Sequence, residues 1–541
     1  MPETTYATER LDHLGIVAGV CHEIGLIEQV DACVGPTRRK VSVGKVVQSM
    51  VLNGLGFVGR PLYLTPEFFS NKPVDLLISE DLEAADLNDD SLGRGLDQLY
   101  ASGITEVFGH VASQALAVYG IAHRFYHLDS TTFSLHGEYT GGNDPEAITI
   151  THGHSRDHRP DLKQAVLSLM CSYRSRLPVW LEALSGNEAD KTSFPRTIKA
   201  YVDQLDDGET PYFIADSALY SQQNIQELSQ VKWITRVPAT LKAVQQLYQL
   251  LDPAHMQPAA TDGYRITELC STYGGVRQRW IGVFSTAAYE SEIHRLQQRI
   301  AQEYEQAEEA LQRLVGREFD TVNDAEKKRE ELRESWTYHD LRIELEPVPH
   351  YSHRGRPRKD EEPERLGWQV ANGEVVQDEE VIQQKRQTKG KFILATNELQ
   401  VEELSADKLL DDYKSQGESV ERGFRFLKDP LFFADSLFLK KPARIMALLM
   451  VMGLSLLVYA LAERKLRKQL VAQDEYIPDQ KGQPTQRPTM RRVFQMFEGI
   501  DVLLISTPTG VERQVLNLEP VHYKILKLLG PYVQKCYLVD I

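Results

Sequence analysis

From Ile445 to Ala462 the chain runs through 18 residues without a charged side chain, with Lys440, Lys441 and Arg444 before it and Arg464 and Lys465 after it. A helix made of this stretch is apolar on every side. It either crosses a bilayer, for which 18 residues is the short end, or is enclosed by the rest of a large protein. The remaining sequence selects enclosure, with no membrane. No second span of this kind occurs in the 541 residues, and 42% hydrophobic with 26% charged residues is the balance of a soluble globular protein. The polar, acidic start from Met1 to Arg10 lacks the basic stretch and apolar core of a secretory leader. A chain of this length forms two to four folding units.

The five cysteines, Cys21, Cys33, Cys171, Cys270 and Cys536, form no CxxC pair. Neither a disulfide framework nor a cysteine zinc site is indicated, and a reducing cytoplasm is the expected compartment. The net charge of −16 counts against uniform attraction to nucleic acid. Phosphate contacts depend on local basic patches, so any DNA path must be a defined stripe.

Residues 1–120 read as a helical domain. Leu11–Val34 and Val41–Phe57 carry mixed apolar spacing, and Leu87–Tyr100 begins beside Asn88 and Asp89 as N-cap candidates. Either a helix-turn-helix-like DNA-binding module or a plain helical bundle satisfies this pattern. Residues 121–240 change character. Phe125–Leu135, Gln164–Tyr173 and Pro178–Leu184 are strand-like, a helix follows near Ser193–Gln204, and Pro211–Leu219 and Trp233–Val237 supply further short strands. That order predicts an α/β unit built on a mixed sheet. Residues 241–400 read as an insertion. Tyr289–Trp336 forms a long charged helix or helical hairpin with a solvated or coiled-coil face, Pro347–Pro363 is a polar loop, and Lys391–Thr396 is a strand returning to a core. Residues 401–470 hold a helical segment at 403–429 and then the apolar region. Residues 471–541 form a C-terminal part with a strand at Asp501–Ser506 and a helix at Glu519–Leu528.

Two aspartates lie inside strand-like runs, Asp129 in FYHLDSTTF and Asp216 in YFIADSALY. A carboxylate at the end of a buried strand is costly unless it is paired or bound to metal; capping a turn is the plain alternative for each. In SVERGFRFLKDP, helical spacing puts Glu421, Arg425 and Lys428 along one face, beside an apolar stripe of Val420, Phe424 and Leu427. Three carboxylates from two strands and a helix suit two-metal phosphoryl transfer, with magnesium favouring such hard oxygen ligands.

The segments HLDSTTFSLHG, GHSRDHRPDLKQ, FIADSALYS, WITRVP, GKFILATN and VERGFRFLKDPLFF, in this order over roughly residues 10–470, resemble the bacterial insertion-sequence transposases of the DDE type. The resemblance implies an RNase H-like catalytic domain, with a large insertion between the second Asp and the Glu. It implies Asp129, Asp216 and Glu421 as ligands of two Mg²⁺ or Mn²⁺ ions. It also implies strand cleavage and strand transfer on double-stranded DNA, with terminal inverted repeats and target DNA as partners of a homodimer working in the bacterial cytoplasm at the nucleoid. An RNase H-like nuclease without strand joining and an inactive DNA-binding remnant are the alternatives.

Many relatives carry Tyr-x2-Arg-x3-Glu-x6-Lys. Glu421 and Lys428 match its second half, making Lys428 a DNA phosphate contact. Tyr413 lies eight rather than seven residues before Glu421, and Gln416 or Gly417 stands at the arginine position. Either the extra residue turns Tyr413 by about 100° on a continuous helix, or Gly417 breaks the helix and absorbs the offset. Arg422 or Arg425 then takes the arginine's role.

Two further segments carry alternatives. HGHSRDH brings His152, His154 and His158 close in sequence, but zinc needs a defined set of three or four ligands. The competing reading is a loop near the active site whose Arg156, Arg159 and Lys163 face DNA phosphates, or plain loop chemistry. Arg354 and Arg356 sit in RGRPRK, either an arm entering a narrow minor groove or a solvated basic linker.

Overall fold

The computed structural model describes residues 4–37, 39–57, 64–121, 124–139, 144–173, 175–205, 211–352, 355, 362–429, 439–507 and 510–540. Arg354 and Arg356 lie outside them. Two compact units share the chain. One comprises Met1–Thr235, Tyr273–Val276 and Leu409–Ile541, the other Arg236–Thr272 and Arg277–Lys408.

The first unit is built on a mixed sheet whose strands lie in the spatial order Pro178–Ser185, Lys163–Ser172, Phe125–Leu135, Tyr212–Ala215, Lys232–Arg236. The first three are antiparallel neighbours and the last two join in parallel. Helix Asp190–Val202 connects the antiparallel and parallel parts. This is the α/β arrangement on a mixed sheet expected from the sequence. The central strand Phe125–Leu135 is buried at nine of its eleven positions, which is why it reads as a nearly continuous rather than an alternating apolar run.

The uncharged stretch lies in the 31-residue helix Pro442–Ala472, which starts with proline in its first turn, where the missing N–H is harmless. It is long and apolar enough to cross a membrane, and 89% of its most apolar 18-residue window is buried inside the fold. It packs on strand Pro178–Ser185, on helices Leu14–Glu23, Val43–Gly54, Asp89–Ala101 and Ile104–Val118, and on helix Pro520–Leu529 near the C-terminus. A β-carbon at Gly453 would fall 2.3 Å from Leu181 Cδ1, so the missing side chain is what lets helix and sheet approach. Near the start of this helix, Arg444 grips Asp97 with two 2.7 Å bonds.

The N-terminal helices therefore form a bundle around the apolar helix. Asn88 caps Asp89–Ala101 by accepting from Ser91 N at 3.0 Å. One element differs from expectation. Thr5–Arg10, within the polar start, is a strand that pairs antiparallel with Asp501–Thr507, itself paired with Gly510–Val515. Most of its side chains are exposed, so its partner rather than its apolar pattern fixes it.

In the second unit, Lys391–Thr396 pairs antiparallel with Val276–Ser285, and Tyr264–Tyr273 follows on the other side. The charged region is two helices, Thr286–Leu314 and Val322–Arg333, separated by the short strand Glu318–Phe319. The long strands His339–His350 and Arg365–Gln377 are an addition to the sequence reading, and the former runs into the start of the expected loop at Pro347. Only four of their 25 residues are buried, and apolar, polar and charged side chains are interspersed, so neither strand shows a continuous apolar run. The helices of this unit close small cores around Leu296, Ile300, Tyr338 and Ile382 and around Leu311, Leu314 and Leu341.

Candidate active site

Backbone register brings the two aspartates together. Phe125, Tyr126 and His127 lie opposite Tyr212, Phe213 and Ile214; Asp129 and Asp216 stand two residues beyond the last pair of this parallel ladder. Asp216 leaves its strand by capping a short 3₁₀ turn, its carboxylate accepting from Ala218 N at 2.9 Å. Its carbonyl accepts from Thr235 Oγ1 at 2.6 Å, which ties this turn to the neighbouring strand. Asp129 accepts from Ser130 N at 2.8 Å, and its side chain is only 17% exposed.

Burial pushes the Asp129 carboxyl up from 3.8 to about 6, against the pull of Arg156 and with a further push from the Asp216 charge. Burial also raises Asp216, and the charge of Asp190 adds to it. Both acids sit where their ionised forms are under-compensated.

Besides these backbone donors, Arg156 supplies a positive charge. Its Nη1 lies 3.2 Å from Asp129 Oδ1 and donates to the carbonyl of Ser130, while its Nη2 pairs with Asp190. Asp190 also accepts from Ser130 Oγ. Despite burial, which disfavours its charge, the charges of Asp190 and Asp129 hold Arg156 above its ordinary value. Its guanidinium thus turns inward to the carboxylates. Asp190 was not singled out from the sequence, where it reads as an ordinary acid in the first turn of a helix. Its position after the third antiparallel strand was the available signal.

Glu421 arrives on helix Gln416–Leu427. Val420, Phe424 and Leu427 are buried as the apolar stripe requires, and the helix packs on the central strand and on Lys163–Ser172. A β-carbon at Gly423 would meet Leu456 and Leu169 at 3.1 and 3.3 Å, so this position also favours close packing. The preceding helix, Ala406–Lys414, is tied to the central strand by His127 Nε2 on the carbonyl of Asp412 at 2.8 Å. The boundary between the two helices falls at Ser415, and Gly417 lies inside the first turn of the second. The Gly417 expectation is corrected accordingly: a backbone turn already exists two residues earlier. Tyr413 is half-buried and Glu421 exposed.

Lys428, which caps this helix, bonds Asp157 at 2.6 Å and lies 5.9 Å from the Phe133 ring. One loop therefore reaches both the aspartates, through Arg156, and the Glu421 helix, through Asp157. Arg159 forks onto Asp161 at 2.9 and 2.7 Å, and Lys163 donates to the Tyr139 carbonyl at 3.1 Å. Arg422 Nη2 donates to both oxygens of the buried Glu463 at 2.7 and 2.9 Å, whereas Arg425 is exposed.

Among the described residues, no three His, Cys, Asp or Glu side chains come close enough to hold a metal ion. That holds for His152, His154 and His158, and it holds for Asp129, Asp216 and Glu421, of which the structure brings the first two together. The donor chemistry of that pair nevertheless fits a hard divalent cation: partly buried, mutually repelling carboxylates whose charge Arg156 offsets only in part.

Two family models match the sequence: a Transposase DDE domain over residues 122–459 and a Domain of unknown function (DUF4277) over residues 6–113. A search of curated proteins returned no match. Among solved structures, the piggyBac transposase synaptic complex with hairpin DNA, seen by cryo-EM, is 9% identical over 91% of this chain and 82% of that one. Its TM-score of 0.36 is too low to inform this chain's fold or chemistry. The DDE domain spans well over half of the chain and encloses both aspartates, the Arg156 loop and the Glu421 helix. The chain belongs to the DDE transposases, DNA cleavage and strand-transfer enzymes that work with divalent metal ions.

Proposed function

We propose that Asp129, Asp216 and Glu421 are the metal-holding carboxylates of this transposase, with two Mg²⁺ or Mn²⁺ ions per site. The observation that carries the reading is the juxtaposition of Asp129 and Asp216 just past the end of one parallel ladder, both partly buried and both raised in proton affinity. Divalent ions bound there supply an activated oxygen nucleophile and stabilise the departing one. Arg156 offsets part of the charge of Asp129 and pairs with Asp190. Glu421 closes the set from its helix, and Lys428 holds a DNA phosphate beside it.

The chemistry needs no external energy source. In cleavage, water adds to a phosphorus at the element end, the P–O3′ bond breaks, and the 3′-oxygen leaves as a hydroxyl carrying a proton. In transfer, that hydroxyl attacks a target phosphodiester. One P–O bond forms, one breaks, and the displaced 3′-oxygen takes up the proton. The element ends are inverted repeats, and two copies of the chain act on the two ends.

The test is Asp129→Asn, Asp216→Asn and Glu421→Gln, each assayed on DNA flanking the reading frame. Each variant should bind this DNA like the unaltered chain and fail to cut it. Normal cutting by Asp129→Asn would overturn the assignment. A pre-cut end supplied with a target plasmid separates joining from hydrolysis alone.

A further inference from the structure

Beside the Glu421 helix, within the first unit, lies a cavity of about 760 Å³. Arg425 reaches it from the Glu421 helix, Arg464, Arg467 and Lys468 from the end of the long helix, and Arg487 and Arg491 from the segment that follows. Arg176 and Arg422 complete eight cations against two acids, Asp429 and Glu463. In a chain of net charge −16 this is a strong local reversal.

The two acids are already engaged. Arg422 and Arg467 both pair with Glu463, and Arg491 lies 3.4 Å from Asp429. Arg425, Arg464, Lys468 and Arg487 have no carboxylate partner among the described residues. One wall is apolar, with Phe426, Leu456, Tyr459 and Ala460. Such a wall excludes water and strengthens the field of the cations. Burial disfavours the charges of Arg464 and Arg467, and the neighbouring cations Arg422 and Arg176 add to this at Arg467. Crowded cations of this kind are relieved by a polyanion, and arginine forks match phosphate oxygens.

We propose that this cavity binds the phosphodiester backbone of the DNA strand that runs past Glu421, with the segment after the long helix supplying part of the grip. The proposal rests on the DDE reading and adds a strand path to it. Arg422 and Arg425, one and four residues beyond Glu421, give that path its continuity with the candidate active site.

The experiment compares two triple variants with the unaltered chain. In one, Arg464→Gln, Lys468→Gln and Arg487→Gln remove charge; in the other, Arg464→Lys, Lys468→Arg and Arg487→Lys keep it. None of these residues belongs to the metal-holding set. The probe is a fluorescently labelled duplex of the DNA flanking the reading frame, with anisotropy read over a range of salt concentrations. Each lost phosphate contact lowers the slope of log affinity against log salt by about 0.9, so the neutral triple should lose about two to three from the slope and the charge-keeping triple little. Equal slopes in all three proteins would overturn the proposal, as would an equal loss in both variants. Inorganic phosphate at matched ionic strength should displace the DNA no better than chloride does; selective displacement would make this a small-anion pocket instead. If the pocket variants behave as expected while Asp129→Asn still cuts, the catalytic reading fails and the strand path stands. The converse pattern removes the strand path alone.

Discussion

Replacing Asp129 by asparagine should stabilise the metal-free protein, and by an amount that depends on pH. Burial raises the carboxyl from 3.8 to about 6, roughly two pH units, or about 3 kcal/mol of preference for the neutral form. The 3.2 Å contact with Arg156 is already inside that figure, because it acts in the opposite sense and is outweighed. Between pH 4 and 6 the folded state binds more protons than the unfolded one. Stability of the unaltered chain therefore falls as pH rises through this window, and the full cost is present above it. Asparagine resembles the neutral acid and escapes the cost. The two proteins should match near pH 4, and the variant should lead by up to about 3 kcal/mol at pH 8. Chemical denaturation in EDTA at both pH values reads this difference. Adding Mn²⁺ to a hundred times its dissociation constant should return about 2.7 kcal/mol to the unaltered chain alone. A variant less stable than the parent at pH 8 in EDTA would refute the reasoning, because Asp129 would then be a stabilising partner of Arg156. So would a difference that does not move with pH.

Arg156→Gln should act in the opposite direction, costing about 1–2 kcal/mol in EDTA by leaving Asp129 and Asp190 without their cation; a denaturation midpoint that does not move would count against that pairing. Lys428→Ala removes a partly exposed ion pair with Asp157, worth less than about 1 kcal/mol, so the melting curve should stay put while cleavage of labelled end DNA falls. Gly453→Val should cost about 1–3 kcal/mol through overpacking, because its β-carbon meets Leu181 at 2.3 Å; urea unfolding measures it.

Most of the first unit was legible in the sequence because its strands and helices are buried. The strand at 125–135 and the helix carrying Val420, Phe424 and Leu427 announce themselves by apolar patterning, which burial enforces. The strand at 5–10 has exposed side chains, and those at 339–350 and 365–377 mix apolar with polar residues with few of them buried; all three are held by backbone pairing, so composition says little about them. The site divides along the same line. Asp129 and Asp216 stand out as charges embedded in apolar runs, whereas Asp190 opens a helix, where an acid is ordinary.

The basic residues around Ile445–Ala462 show how one feature serves two readings. By sequence alone, Arg464 and Lys465 bound an uncharged span, as they would at a membrane. Folded, Lys465 pairs with Glu23 in the core of the unit, and Arg464 turns into the cavity beside the Glu421 helix. The buried length of the helix fixes where its polar end emerges: enclosure of 442–462 by the sheet and the N-terminal bundle delivers the turns at 463–468 to the flank of the Glu421 helix. An acidic protein can then present a DNA path without a basic surface, because a buried scaffold concentrates its cations at one place. Lengthening the helix should test that dependence. A single residue inserted after Ala462 rotates the turns beyond it by about 100°, which turns Arg464, Arg467 and Lys468 away from the cavity and leaves the apolar window intact. DNA affinity should fall with the same lower salt slope as the neutral triple variant. An insertion that leaves the slope unchanged would mean that the helix end does not set the strand path.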